Sequence, residues 1–213
     1  MNVEDQRLEL MRACVRHVTF DGWSERALKA GAKDVDMAVE TAKTLFPNTG
    51  HDLVTLHCQN ADAEALDCLG NQDLTSMRVR ERVTMAIRTR IEIVRGDREA
   101  VRQAVSMFTL PGNATLGARL LFGTVDRLWR VAGDTSTDWN YYSKRGLLAG
   151  VYGSTVLYWL QDDSEDFVDS WLFLDRRIAD VMKVPKIIGS ITKVFSPLRR
   201  RDFRQQIIRT RLD

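Results

Sequence analysis

Apolar residues recur along this chain at intervals of three and four with few interruptions, and that spacing constrains the fold more than any other feature. Leu8, Met11, Val15 and Val18 make one stripe; Val83, Ile87, Ile91 and Val94 make another; Phe167, Trp171, Leu174 and Ile178 make a third. Such periods belong to helices that lay one face on a core. Four prolines and thirteen glycines in 213 residues leave little to break them. The expected class is all-α.

The helices start short and then lengthen. Asp21-Gly22 ends the first, Ser24 is placed to cap a second through Ala27, Leu28 and Ala32, and a third is expected from Val35 to Leu45, closed by Phe46-Pro47-Asn48-Thr49-Gly50. Three short helices with tight turns give residues 1–50 the outline of a helix-turn-helix module. Residues 51–182 read as a larger helical domain. In it the stripe from Val83 to Val94 stands opposite Arg78, Arg82, Arg88 and Arg95, the pattern of a surface helix with a solvated face. Val101, Ala104, Val105 and Phe108 continue to a break at Pro111-Gly112-Asn113. Next come Leu116, Leu120, Thr124, Leu128 and Val131 on one side and Leu121, Val125 and Trp129 on another, so this helix is expected to be buried nearly all round. A turn from Ala132 to Asp138 ends in a cluster of N-capping residues, and the helix after it should run to about Leu160. Gly146, Gly150 and Gly153 stand on it at i, i+4 and i+7. Each glycine costs a soluble helix about 1 kcal/mol relative to alanine. Close helix packing or a groove for a ligand chain would each offset that cost. Gln161 to Asp166 forms an acidic cap, and the following helix should end near Met182.

Residues 183–213 form a basic tail, with nine bases to two acids, whereas Met1 to Thr75 carries thirteen acids to seven bases. The acidic front argues against nucleic acid there, and the tail argues for an anionic partner. Ile187, Ile188, Ile191, Val194, Phe195 and Leu198 form a narrow apolar stripe opposite Lys186, Ser190 and Lys193, opened by Pro185 and followed by Arg199, Arg200, Arg201 and Arg204. Periodicity allows two readings: a helix lying in a membrane interface, or a helix folded back on the core. Nucleic-acid contact by the arginines is the weaker third, since only Phe203 interleaves with them.

Several chemistries lack their residues. Cys14, Cys58 and Cys68 form no CxxC pair, and their odd number suits a reducing compartment. His17, His51 and His57 have no acidic residue at metal-ligand spacing, and neither HExxH nor a Glu-x-x-His pair occurs. The nucleotide-binding glycine motifs and the nucleophile elbow are missing too. No catalytic residue, metal site or cofactor is called for. The first fifteen residues are polar and then amphipathic, unlike a secretory or transit peptide, and no apolar run is long enough to span a bilayer. The expected setting is the bacterial cytoplasm or a processed mature form.

The run Ala132-Gly133-Asp134-Thr135-Ser136-Thr137-Asp138-Trp139-Asn140-Tyr141-Tyr142-Ser143-Lys144-Arg145 strongly resembles the signature of the ubiquinone-biosynthesis accessory proteins of the Coq-nine family. Gln161-Asp162-Asp163-Ser164 and the stretch Asp169 to Ile178 continue the resemblance, and Gly22-Trp23-Ser24 and Phe46-Pro47 look like family positions. It implies a TetR-like fold: the small helix-turn-helix module, a larger helical ligand domain and a C-terminal amphipathic helix, usually as a homodimer. It also implies a non-catalytic protein that binds an isoprenoid quinone intermediate and presents it to the di-iron demethoxyubiquinone hydroxylase. Such a protein would sit peripherally on a bacterial inner membrane, or on the matrix side in mitochondria.

Carried onto this chain, the resemblance places hydroxylase binding at Leu128, Trp129, Asp138, Tyr141, Tyr142 and Arg145. The chain departs from the family at Tyr141, where tryptophan is more frequent. Lipid binding is expected at Phe122, Val125, Leu147, Gly150, Val151, Ser154 and Trp171. Membrane contact is expected at Lys186, Ile187, Ile188, Ile191, Lys193, Val194, Phe195 and Leu198. The alternative of a TetR-type, ligand-responsive DNA-binding regulator meets an acidic third helix: Asp34, Asp36 and Glu40 stand against Lys43 alone, and would repel a phosphate backbone.

Overall fold

The structure, a computed structural model, describes residues 2–74, 76–133 and 139–195, with side chains in the last stretch at 142 and 144–181. These residues form α1 (Val3–Asp21), α2 (Glu25–Asp34), α3 (Val39–Leu45), α4 (Thr49–Gly70), α5 (Val79–Ile93), α6 (Arg98–Phe108), α7 (Ala114–Val131), α8 (Trp139–Trp159) and α9 (Val168–Phe195). Single 3-10 turns, Arg95–Asp97 and Glu165–Phe167, lead into α6 and α9. No strand occurs among the described residues.

The N-terminal helices follow their local signals. Asn2 caps α1 by accepting the Asp5 N–H at 2.7 Å, and the Asp5 carboxylate accepts the Asn2 N–H in return. Gly22, at φ 64°, turns the chain, and the Ser24 hydroxyl accepts the N–H groups of Arg26 and Ala27 at the start of α2. α2 lies so close on α1 that a Cβ at Gly31 would stand 2.8 Å from the Cys14 backbone nitrogen, so only glycine fits there. The third helix is shorter than expected. Val35 ends α2, Asp36 adopts φ 51° and Ala38 is extended, so α3 begins at Val39 instead of Val35.

Two hydrophobic cores result. Leu10, Cys14, Val18, Leu28, Phe46 and Leu53 are fully enclosed in the first. The second gathers Val83, Ile87, Ile91 and Val94, the whole stripe expected on α5, with Val125, Leu128, Trp159, Trp171 and Leu174. Two helices belong to both. α4 places Leu53 and Val54 in the first core and Ala61 and Leu69 in the second, so the division expected at residue 50 falls in the first turn of a continuous helix. α6 buries Ala100 and Ala104 against the first and packs Val101 and Val105 against the second.

Three other expectations are corrected. α7 is not buried all round: only Thr124, Val125 and Leu128 are buried, and Ala114, Ala118 and Phe122 are exposed, because its N-terminal half borders a cavity. α9 does not end near Met182 but continues to Phe195, through Pro185, whose missing N–H leaves a gap in the helical bonding without ending the helix. On α5, Arg88 is exposed, but Arg82 is half-buried and donates to the carbonyls of Met77 at 2.9 Å and Ala132 at 3.3 Å.

Candidate functional site

Between α4, α5, α6, α7 and α8 lies a cavity of about 430 Å³. Val54, Ile91, Val101, Val105, Leu121 and Val156 supply apolar walls, and Trp159 lines it from the end of α8. Gly117 lets α6 and α7 meet beside it, since a Cβ there would stand 2.8 Å from the Phe108 side chain. Exposure runs in one direction across the lining. Thr109, Ala114, Ala118 and Leu157 are exposed and form the mouth; Val54, Arg90, Ile91, Thr124 and Trp159 are buried and form the closed end.

That closed end is polar. Asp62 of α4, 3% exposed, accepts from Arg90 Nε at 2.6 Å, from the Thr124 hydroxyl at 3.0 Å and from Arg127 Nη1 at 3.1 Å. Arg90 is 4% exposed and also donates through Nη2 to the Cys58 carbonyl at 3.3 Å. Burial opposes the Arg90 charge, but the neighbouring Tyr152, Cys58 and Asp62 outweigh it and hold its pKa above the ordinary value. Burial pushes the Cys58 thiol up and the Tyr152 phenol up to about 12, so at neutral pH both are protonated. His57 stands on the same lining, 2.9 Å from the Asp97 carboxylate and with its ring 5.3 Å from that of Trp23. Trp23 in turn donates to the Ala100 carbonyl at 3.0 Å, which ties the Gly22-Trp23-Ser24 turn to the back of the cavity.

The residues expected to bind lipid take other positions. Val125, Val151 and Trp171 are core residues, Phe122, Leu147 and Gly150 stand on α7 and α8 outside the cavity lining, and Ser154 lines a separate cleft with Tyr158 and Asp163. The neighbours one to three positions along, Leu121, Thr124, Tyr152, Gly153 and Val156, face the cavity instead. Among the described residues close packing does not explain the glycine stripe, since a Cβ at Gly146, Gly150 or Gly153 would meet none of their atoms within 4 Å.

Of the expected docking patch, Tyr142 is exposed and Trp129 half-buried, its indole N–H donating to the Lys144 carbonyl at 3.0 Å. Leu128 and Arg145 are buried; Arg145 Nε donates to Asp126 at 2.5 Å and supports the patch from beneath. Asp138 and the Tyr141 side chain lie outside the described residues. So do Leu198 and the side chains of Lys186, Ile187, Ile188, Ile191, Lys193, Val194 and Phe195, whose backbone from 186 to 195 belongs to α9. The one base of α3, Lys43, is held at 2.7 Å by Glu25.

Comparison with known proteins agrees with this architecture. Residues 114–185, from α7 into α9, match the COQ9 family model. The chain is 35% identical over 191 residues to the ubiquinone biosynthesis protein COQ9, mitochondrial, of Xenopus tropicalis, an alignment covering 84% of this chain and 58% of that protein. The chain is thus similar to the COQ9 proteins over most of its own length. COQ9-B of Xenopus laevis is 36% identical, with 84% and 63% covered, and human COQ9 is 31% identical, with 85% and 59% covered. The chain thus spans 58–63% of the length of these COQ9 relatives. The fold is that of the TetR regulators: the crystal structure of a TetR transcriptional regulator from Nitrosomonas europaea superposes with a TM-score of 0.67 at 16% identity, over 82% of this chain and 97% of that one.

Proposed function

We propose that this protein is a non-enzymatic accessory factor of ubiquinone biosynthesis that shelters an isoprenoid quinone intermediate in the cavity behind α7. The observation that carries the reading is the cavity itself: about 430 Å³, largely apolar, open at one end and lined by the closed set of polar side chains at the other. That volume is in the range of small-molecule sites. It has room for on the order of fifteen water-sized groups, enough for a ring and the first prenyl units. Burying such units contributes about 0.8 kcal/mol per CH₂-sized group. At the closed end Asp62, Arg90 and Thr124 hold one another in place, which gives a ligand a fixed surface to rest against. The names of the COQ9 relatives supply the pathway.

The hydroxylase that acts on demethoxyubiquinone is the proposed recipient, docking on the Trp129–Tyr142 surface. The tail from Lys186 to Leu198 brings the protein to an anionic membrane surface; no helix of the described residues is long and apolar enough to cross one. A second copy covers the outer face of α8 and α9, where Val168 and Leu172 are each about half exposed beside the open stripe of Gly146 and Gly150. Small residues there let two helix pairs approach closely.

The deciding experiment is mass spectrometry of lipids extracted from the purified protein, compared with the host membrane. Enrichment of isoprenoid quinones or their precursors over bulk phospholipid is expected. Phospholipid in host proportions would remove the carrier role.

A further inference from the structure

The polar end of the cavity contains two hydrogen-bonding atoms with no partner among the described residues. Arg90 is committed through Nε to Asp62 and through Nη2 to Cys58, while among the described residues its Nη1 has no partner. Tyr152, on the next wall, likewise has no hydrogen bond to its hydroxyl among the described residues, and it is near enough to Arg90 for the guanidinium charge to act on it. Polar groups inside proteins are nearly always paired. Two donors without a protein partner among the described residues, both on the lining of an otherwise apolar cavity, have the form of a waiting site.

We infer that Arg90 Nη1 and the Tyr152 hydroxyl donate to one oxygen of the ligand's ring, so that the ligand enters head first and its tail leaves by the mouth. The inference rests on the carrier reading and adds to it an orientation and a head-group class. Both groups are donors at neutral pH, so the partner is an acceptor: a quinone carbonyl or a phenol oxygen. The head is neutral, because Arg127, the second arginine on Asp62, is 42% exposed and its charge is met by solvent, which leaves Asp62 to balance the buried Arg90. Exposure sets the direction, since Arg90 and Thr124 are at the buried end whereas Ala114, Ala118 and Leu157 are exposed. A long prenyl tail exceeds the enclosed volume and must extend past these mouth residues.

The test uses the full chain and three probes: a benzoquinone carrying two prenyl units, a branched hydrocarbon of the same carbon number, and a short-chain phosphatidylglycerol. Each displaces an apolar fluorescent dye from the wild type and from Tyr152→Phe, which removes one oxygen without opening a cavity. The wild type should prefer the quinone. Tyr152→Phe should weaken the quinone roughly five- to tenfold and leave the hydrocarbon unchanged. In the infrared, the carbonyl band of bound, isotope-labelled quinone should lie below its free position and move back toward it in Tyr152→Phe. Equal affinity for quinone and hydrocarbon, an unmoved carbonyl band, or equal weakening of both probes would overturn the orientation while leaving the carrier role intact. Preference for the phospholipid, dependent on Tyr152, would overturn the neutral head. A wild type that takes up none of the three would remove the carrier reading and this inference together.

Discussion

Replacing Asp162 by asparagine should loosen the joint between α8 and α9, by an amount that depends on pH. The Asp162 carboxylate is 6% exposed and accepts three hydrogen bonds: from the Ser164 N–H at 2.9 Å, the Ser170 N–H at 2.8 Å and the Ser170 hydroxyl at 2.5 Å. Burial alone would raise its pKa, but the bonds from Ser170 and Ser164 prevail and lower it from 3.8 to about 2. A folded value below the unfolded one means the carboxylate stabilises the fold fully above the unfolded pKa and loses that contribution as pH falls through the folded pKa. The shift is worth about 2 kcal/mol at neutral pH and roughly half of that at pH 3. For a chain of this size each kcal/mol moves the melting temperature by about 2–4 °C. Asp162→Asn should therefore melt roughly 4–8 °C below the wild type at pH 7, and the gap should narrow at pH 4 and again at pH 3. Calorimetry at the three pH values is the assay. A gap that is constant with pH, or absent at pH 7, would refute the assignment of the stabilisation to the carboxylate charge.

Three further outcomes follow from the geometry. Asp62→Ala leaves Arg90 buried without its partner and should cost about 3–5 kcal/mol, read as a fall in the urea midpoint; an unmoved midpoint would show that Arg90 finds another counter-charge. Gly150→Trp projects into open space and should leave the melt of the single chain intact while shifting sedimentation toward the monomer; unchanged sedimentation would place the copy-to-copy contact elsewhere. Ile191→Asp with Phe195→Asp should abolish flotation with anionic liposomes and preserve helicity, and undiminished flotation would dispose of the tail as the membrane contact.

Much of the fold was legible because helical periodicity and capping are local properties. The Ser24 cap, the Gly22 break and the buried stripe from Val83 to Val94 needed no tertiary information. α3 was misplaced because Asp36 adopts a left-handed turn for which its side chain gives only a weak signal. The extent of α9 was misread because a proline is compatible both with a helix start and, at a cost, with a helix interior. The site was harder to read. Residues lining an apolar cavity are of the same types as residues filling a core, so Val125 and Val151 could not be separated from Leu121 and Val156 without knowing the rotation of α7 and α8. One signal does stand in the sequence: Arg90 lies three residues after Ile87 and one before Ile91, an arginine on an apolar stripe, and Asp62 interrupts the apolar face of α4 in the same way. A charge in such a place needs a partner inside the protein, and the pair marks the closed end of the cavity.

α6 faces the N-terminal core with one side and the cavity with the other, through Ala104 in common. Shortening the chain to residues 51–213 would therefore remove the backing of a cavity wall along with the first three helices, and the remainder should not hold a ligand as the whole does. The same geometry works in reverse. Whatever fills the cavity lies on the face of α6 away from α1, so occupancy should slow amide exchange in α1, which lines no part of the cavity. A three-helix module whose third helix keeps its one base, Lys43, on Glu25 would then be an instrument that registers whether the protein is loaded.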